Sequence, residues 1–259
     1  MVKSLFIKGK NSMKTTIVLP TYNEKENIED FLNAVLDEIK NIKDFDINIL
    51  VVDDYSPDGT ADAVKKVMEE NPSVNLLLNN TRGLGRAYIA GFKYAIKNFN
   101  PDILIEMDSD FSHDVKKIKE LLGAIKDGAD FAIGSRYVKG GSIPSNWALI
   151  RKLNSRWGNV FARLIAGLYN VKDCTSGFRA IKTGVLNQID LDKLNANGYS
   201  FQMNILFECV SYGAKVAEIP IDFIDRTKGK SKLGLYDVVE FMLNSMILRL
   251  RLIFRAFQK

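Results

Sequence analysis

From Thr15 to Arg136 the chain alternates short apolar runs with helical stretches. "TTIVLP" leads into a helical segment over 24–40, "INILVVDD" into one over 58–71, "VNLLLNN" into one over 83–98 and "DILIEMD" into one over 114–127, before "DFAIGSR" closes the series. Strands separated by amphipathic helices are joined by crossovers, so neighbouring strands run the same way and the helices cover both faces. This predicts an α/β fold with a mostly parallel, doubly wound sheet.

In such sheets ligands bind beyond the carboxyl ends of the strands. The residues that close each run are therefore the place to look for chemistry: "PTYNE" from Pro20, "VDDYS" from Val51, "DSD" from Asp108 and "GSRY" from Gly134. Any one of these Asp or Asn residues is explained as a helix cap or turn former. Four polar strand ends at one edge of a sheet are a stronger pattern.

Asp108 and Asp110 are the most informative of them. Two carboxylates one residue apart, just past a buried strand, repel one another unless a cation lies between them. Oxygen ligands without thiolate suit a hard ion, Mg²⁺ or Mn²⁺, which keeps some waters and takes other oxygens from a diphosphate. Ser112 or His113 is positioned to add a ligand or a hydrogen bond. A dinucleotide fold is the competing nucleotide reading, but "GLGRAY" at 83–88 has Tyr88 where the third glycine belongs and follows the third run, not the first.

Arg136 ends the fifth run at the edge that carries the aspartates. Arg151 and Ser155 lie one helical turn apart, and with Arg136 they form a set able to hold an acceptor phosphate near a donor sugar. They sit in "WALIRKLNSRWGNVFARLIAGL", an amphipathic helix with Arg151, Lys152, Arg156 and Arg163 among its polar positions. This helix either packs on the sheet or lies in a membrane interface. "GGS" at 140–142 reads as a flexible loop before it. "GYSFQMNILFECVSYGAKVAEIPIDFIDR" reads as helix then strand, "TKGKSKLG" as a basic loop, and "LYDVVEFMLNSMILRLRLIFRAFQK" as a basic amphipathic helix suited to a core, to anionic lipid or to a partner's helix.

Composition narrows the classes. One histidine and two cysteines, Cys174 and Cys209, leave little room for His-based catalysis, a zinc site or a disulfide framework. A net charge of +5 suits an anionic partner, although no nucleic-acid-binding module accompanies it. No run approaches the about 18 uninterrupted apolar residues of a membrane span, and the N-terminus lacks the apolar core of a secretory signal.

Together "IVLPTYNEKENI", "VVDDYSPDGTAD", "RGLGRAYIAGF", "DSDFSHD", "GSRYVKGG", "RKLNS", "DCTSGFRAI", "GYSFQM" and "DRTKGKSKLG" resemble the inverting polyprenyl-phosphate glycosyltransferases of GT-A fold, the dolichyl-phosphate mannosyltransferases among them. The resemblance covers about residues 15–235. It implies an N-terminal extension over 1–14, a catalytic domain over 15–235 that includes an interface helix over about 146–169, and a basic amphipathic helix over 236–259. It implies further that Pro20, Tyr22 and Glu24 border a guanine nucleotide, with Val51 and Asp53 beside base and ribose. Asp108, Ser109 and Asp110 would hold metal and diphosphate, Arg136, Arg226 and Lys232 would contact the donor phosphates, and Arg151 and Ser155 would receive the lipid phosphate. Tyr55, Ser109, Asp114 and Asn204 depart from the family's usual glycine, alanine, proline and glutamate.

The implied reaction transfers mannose from GDP-mannose to dolichyl or another polyprenyl phosphate, with Mg²⁺ or Mn²⁺, at the cytoplasmic face of a membrane. The chain would be held peripherally by its own helices or by a small membrane-protein partner. Two alternatives stay open: the same transfer from UDP-glucose or another nucleotide sugar, and a non-catalytic nucleotide-binding subunit of a glycosylation complex.

Overall fold

The computed structural model describes residues 12–194, 198–225 and 235–257. The strands are β1 (Met13–Thr21), β2 (Phe45–Asp53), β3 (Val74–Leu78), β4 (Ile103–Glu106), β5 (Phe131–Ser135), β6 (Arg179–Lys182) and β7 (Val216–Pro220). The helices are α1 (Lys25–Ile39), α2 (Thr60–Glu70), α3 (Leu84–Phe99), α4 (Ile118–Lys126), α5 (Leu149–Ala166), the single turn α6 (Thr183–Leu186), α7 (Gly198–Ser211) and α8 (Leu235–Phe257). The strands form one seven-stranded sheet in the order β3-β2-β1-β4-β6-β5-β7. All pairs are parallel except those of β6, which runs against both β4 and β5.

Successive strand residues point to opposite faces, and both faces are dry. Ile17, Leu19, Ile49, Val51, Ile103 and Ile105 pack beneath α1, α2 and α4, whereas Val18, Leu50, Val52 and Leu104 pack against α3 on the other side, in the layer that also holds α5, α7 and α8. This explains why the runs are apolar at consecutive positions. Each wholly buried Ile, Leu or Phe contributes about 1.5–3 kcal/mol relative to an exposed one. The expected doubly wound α/β architecture is what the structure shows.

Two local features differ from the sequence reading. The antiparallel strand β6 was not anticipated within "DCTSGFRAI"; it is four residues long and carries Arg179 at its start, too short for a periodicity to register. The "GGS" stretch, read as a loop, contains a hydrogen-bonded turn: Gly141 N–H donates to Val138 O at 3.0 Å, and Ser142 bridges to Asp222. A Cβ on Gly141 would fall 2.4 Å from the Ser135 carbonyl oxygen, which reserves the position for glycine.

Helices α5 and α8 pack together in the layer farthest from α1 and α2 and expose apolar residues: Leu149, Leu153, Trp157 and Leu164 on α5, and Leu243, Met246, Leu250 and Phe254 on α8. Trp157 is 67% exposed and Phe254 66%. Among the described residues no helix is long and apolar enough to cross a membrane.

The closeness of α3 to the sheet rests on Gly91, where a Cβ would lie 2.5 Å from Val18 Cγ1 and 2.9 Å from Val52 Cγ2. Gly91→Ala is expected to destabilise the chain by about 1–3 kcal/mol through overpacking. Urea unfolding tests this, and an unchanged midpoint would mean the helix can move outward freely.

Candidate active site

The direction of the crossovers reverses between β1 and β4, so the loops that follow these two strands open a crevice at the carboxyl edge of the sheet. Hydrogen bonds tie those loops to the end of β2. Thr21 Oγ1 donates to Asp53 Oδ1 at 3.0 Å, and Ser109 Oγ donates to the Pro20 carbonyl at 3.2 Å. Asp53 also accepts from Ser56 N (2.8 Å) and Ser56 Oγ (2.6 Å). Asp58 accepts from Lys25 N and Thr60 N, which fixes the starts of α1 and α2 beside one another. Asn23, Tyr55 and Phe111, one in each of the three loops, have φ of 61°, 51° and 61°. Left-handed backbone at non-glycine residues costs about 1–2 kcal/mol each, and its concentration here marks a constrained site. Tyr55, where the family usually has glycine, is one of these three.

Asp108 and Asp110 stand on the loop after β4, both partly exposed. Tyr88 Oη donates to Asp108 Oδ1 at 3.3 Å, Asp108 N donates to His113 Nδ1 at 3.3 Å, and Asp110 Oδ1 accepts from Ser112 N at 3.0 Å. His113 is buried between Phe178 and Phe223, and burial lowers its pKa to about 4, so it is a neutral imidazole that holds the loop by accepting at Nδ1. Beneath the loop, burial raises Glu106 to about 7 against the opposing charge of Arg179, 4.0 Å away, and burial also drives Tyr88 well above its ordinary value. Arg179 is held by the carbonyls of Gln202 and Cys174 at 2.6 and 2.8 Å and lies over Phe131.

A divalent ion fits this donor set in one way. Among the described residues no group of three His, Cys, Asp or Glu gathers at any point. Asp108 and Asp110 would thus offer an ion two carboxylates and leave the rest of its shell to water and to ligand oxygens, as Mg²⁺ and Mn²⁺ accept.

Arg136, at the end of β5, is clamped from the far side. Its Nε and Nη2 each donate to Asp173 at 2.8 Å, its backbone N–H donates to the same carboxylate at 3.0 Å, and Nη2 also donates to Thr175 Oγ1 at 2.8 Å. Burial would raise Asp173, but Arg136's charge and hydrogen bonds outweigh it and hold the carboxyl below its ordinary value. Tyr137 Oη and Ser155 Oγ are hydrogen-bonded at 2.6 Å, joining the end of β5 to α5. One turn earlier, Arg151 lies 3.8 Å over the Trp147 ring and reaches Asp225 at 3.2 Å. Trp147 packs on Phe223, and Phe223 on His113, so an unbroken set of contacts runs from Arg151 to Asp108.

The structure therefore brings Pro20, Asp53, Ser109, Asp108 and Asp110 together, and links Arg136 with Arg151 and Ser155 on the adjoining side. Tyr22 borders the crevice beneath Arg82, whose guanidinium sits 3.9 Å over its ring, and Glu24 precedes α1, where it accepts from Asn27 Nδ2. The Val51 side chain is wholly buried in the core under α1 and α2, and Asp53, the last residue of β2, is buried as well, its carboxylate bonded to Thr21 and Ser56. Arg226 and Lys232 lie outside the described residues. Sequence reasoning gave no role to Asp173, Thr175, Tyr137 or Trp147. Asp173 and Thr175 lie within "DCTSGFRAI", but nothing in the sequence pairs them with Arg136, 37 positions away from Asp173.

Comparison with known proteins places this geometry in a class. The profile of glycosyl transferase family 2 matches residues 16–190. The chain is 40% identical over 223 residues to an undecaprenyl-phosphate mannosyltransferase of Micrococcus luteus, covering 86% of this chain and 88% of that one. It is 36% identical over 233 residues to a polyprenol monophosphomannose synthase of Mycolicibacterium smegmatis, covering 89% and 85%. A dolichol-phosphate mannosyltransferase of Pyrococcus furiosus is 35% identical over 231 residues, covering 89% of this chain and 62% of that longer one. Among solved structures, glucosyl-3-phosphoglycerate synthase of Mycobacterium tuberculosis with Mn²⁺ and UDP-glucose superposes with a TM-score of 0.62 at 18% identity, over 91% of this chain and 78% of that one. A mannosyltransferase of Pyrobaculum calidifontis with GDP-Man and Mn²⁺ gives 0.60 at 15% identity, over 96% and 66%. These two share the fold. The chain belongs to glycosyl transferase family 2 and is a glycosyltransferase.

Asp173→Ala would leave the Arg136 guanidinium buried without its carboxylate. It is expected to destabilise the protein by about 3–5 kcal/mol, measured as a lowered urea midpoint at neutral pH. A loss below about 1 kcal/mol would mean that the pair behaves like an exposed one.

Proposed function

We propose that this glycosyltransferase moves mannose from GDP-mannose to a polyprenyl phosphate of the dolichyl type, with inversion at the anomeric carbon, while docked on a membrane surface. The observation that carries the reading is the continuity between two groups: the Asp108–Asp110 loop at the switch point, and the α5 face with Arg151 and Ser155, linked through Trp147, Phe223 and His113. The mannosyl-transfer names of relatives at 35–40% identity support the donor sugar and acceptor class.

A polyprenyl phosphate is already anionic at neutral pH, so its oxygen attacks the anomeric carbon without a general base. The bond to the β-phosphate oxygen breaks, and GDP departs. Catalysis then depends on alignment and charge. A divalent ion, Mg²⁺ or Mn²⁺, held by Asp108 and Asp110 would neutralise the diphosphate. Pro20, Tyr22, Glu24 and Asp53 border the nucleotide, and Ser109 fixes the loop by its bond to Pro20.

The arginines divide the labour. Arg136 and Asp173 form a nearly neutral pair whose value lies in a fixed position. Arg151 is different: its pair with Asp225 is exposed, with side chains 43% and 34% accessible, and such a pair is worth at most about 1 kcal/mol. A lipid phosphate displaces Asp225 readily and takes the guanidinium bidentately. Arg226 and Lys232 belong to the same proposal as further donor-phosphate contacts.

The exposed apolar stripes of α5 and α8, with Arg151, Arg156 and Arg251 on their polar positions, suit the surface of an anionic bilayer. They would bring Arg151 to headgroup level, where the acceptor's phosphate resides. A small membrane-protein partner resting on the same stripes is the alternative mode of attachment.

Three outcomes follow. Labelled mannose should pass from GDP-mannose to a short polyprenyl phosphate in detergent and stop with EDTA; product only from UDP-glucose would keep the reaction class and reassign the donor. Asp108→Ala should fold normally and lose at least about a hundredfold in transfer, and wild-type turnover would remove the metal assignment. Anionic vesicles should bind the chain and blue-shift Trp157 emission, whereas Trp157→Asp should weaken binding by about tenfold or more; a chain that stays in solution with vesicles rejects self-anchoring.

A further inference from the structure

Asn159 is the polar residue that is buried among the described residues of α5, at 3% accessibility, in a segment where Arg151, Leu153, Arg156 and Trp157 all face outward. Its bonds run both ways. Nδ2 donates to the Ser155 carbonyl at 3.1 Å and to Thr175 Oγ1 at 3.1 Å, and Oδ1 accepts from Cys174 N at 2.8 Å. Thr175 Oγ1 is in turn the acceptor of Arg136 Nη2 at 2.8 Å, and Thr175 N donates to Asp173 Oδ1 at 3.3 Å. Asn159 thus joins the turn of α5 that carries Ser155 to the loop that clamps Arg136.

Resting on the functional reading above, we infer that Asn159 is a positioning residue that sets the distance between the acceptor-phosphate face of α5 and the donor crevice. Three features support a role beyond holding the helix in place. The apolar anchors of α5, Ala162 and Ala166, lie three and seven residues further on and pack in the core. The Asn159 amide spends its hydrogen bonds on the 174–175 loop and on the Ser155 carbonyl, the two elements whose separation the transfer depends on. Thr175 Oγ1 receives both Asn159 and Arg136, so the turn that carries Ser155 is registered against a guanidinium that Asp173 already fixes.

The consequence is specific to the acceptor. In Asn159→Ala the bonds among the β1, β2 and β4 loops are untouched, and Arg136 keeps its three bonds to Asp173. Attack by water on the bound donor needs no α5 alignment, whereas attack by a polyprenyl phosphate does. Misplacement of a reactant by about 1 Å lowers a rate by about a hundredfold.

The test measures, in one preparation of the full chain, transfer of mannose to a short polyprenyl phosphate, hydrolysis of GDP-mannose in the absence of acceptor, and GDP affinity. For Asn159→Ala the transfer rate is expected to fall by about 10- to 100-fold, with hydrolysis and GDP affinity near wild type. Thr175→Val, which removes the shared hydroxyl and keeps the shape, should show the same split, and Thr175→Ser, which restores the hydroxyl, should return transfer to near wild type. Equal losses of transfer and hydrolysis in Asn159→Ala and in Thr175→Val would overturn the inference in favour of a purely structural role, as would an unchanged transfer rate in both. If Asn159→Ala does not fold, the Thr175→Val and Thr175→Ser pair decides. A wild-type chain that hydrolyses GDP-mannose but transfers to no polyprenyl phosphate overturns the acceptor assignment itself, an outcome separable from the mutant ratios.

Discussion

Parallel strands need crossovers, and where the crossovers change direction no helix can cover the carboxyl edge of the sheet. Between β1 and β4 this leaves a crevice whose walls are backbone turns. Everything polar in the site depends on it. Thr21, Asp53 and Ser109 stitch the three loops together, and Asn23, Tyr55 and Phe111 absorb the tight reversals in left-handed backbone. The carboxylates of Asp108 and Asp110 are presented on a loop held by neutral His113 and buried Tyr88, so they are placed before any ligand arrives.

Charge is managed in two ways. Under the crevice it is buried: Arg136 is compensated by Asp173, and Arg179 lies 4.0 Å from Glu106 with two carbonyls in support. Removing Asp173 leaves the Arg136 guanidinium uncompensated. At the rim charge is exposed and exchangeable, as with Arg151 and Asp225 or Arg82 over Tyr22. A site that must bind one diphosphate, accept one phosphate and release a product needs fixed groups inside and weakly paired cations outside.

The layered fold was legible because buried parallel strands are continuous apolar runs, and the position of the chemistry followed because such sheets bind ligands at one edge. Asp53, Asp108 and Asp110 were readable as strand-end residues. What escaped the sequence depended on long-range pairing. β6 is a short antiparallel strand with no period of its own, Asp173 and Arg136 meet across 37 positions, and Asn159 looks like any polar residue of an amphipathic helix. Val51 and Asp53, two positions apart at the end of β2, share one face of the strand, and the side chains of both are buried. The two readings of α5 diverge for the same reason: amphipathicity says that one face is covered, and only the packed structure says that Leu153 and Trp157 are on the uncovered one.

Two carboxylates alone make a weak site for a divalent ion, and two carboxylates with a diphosphate make a strong one. Mn²⁺ titration of the chain with and without GDP, followed by electron paramagnetic resonance, tests that coupling directly. A shared ion at Asp108 and Asp110 predicts weak Mn²⁺ binding alone, tightened by about tenfold or more when GDP is present, with the enhancement lost in Asp110→Ala. Equal Mn²⁺ affinity with and without GDP, or an enhancement that survives Asp110→Ala, would contradict the placement of the reaction at the switch point.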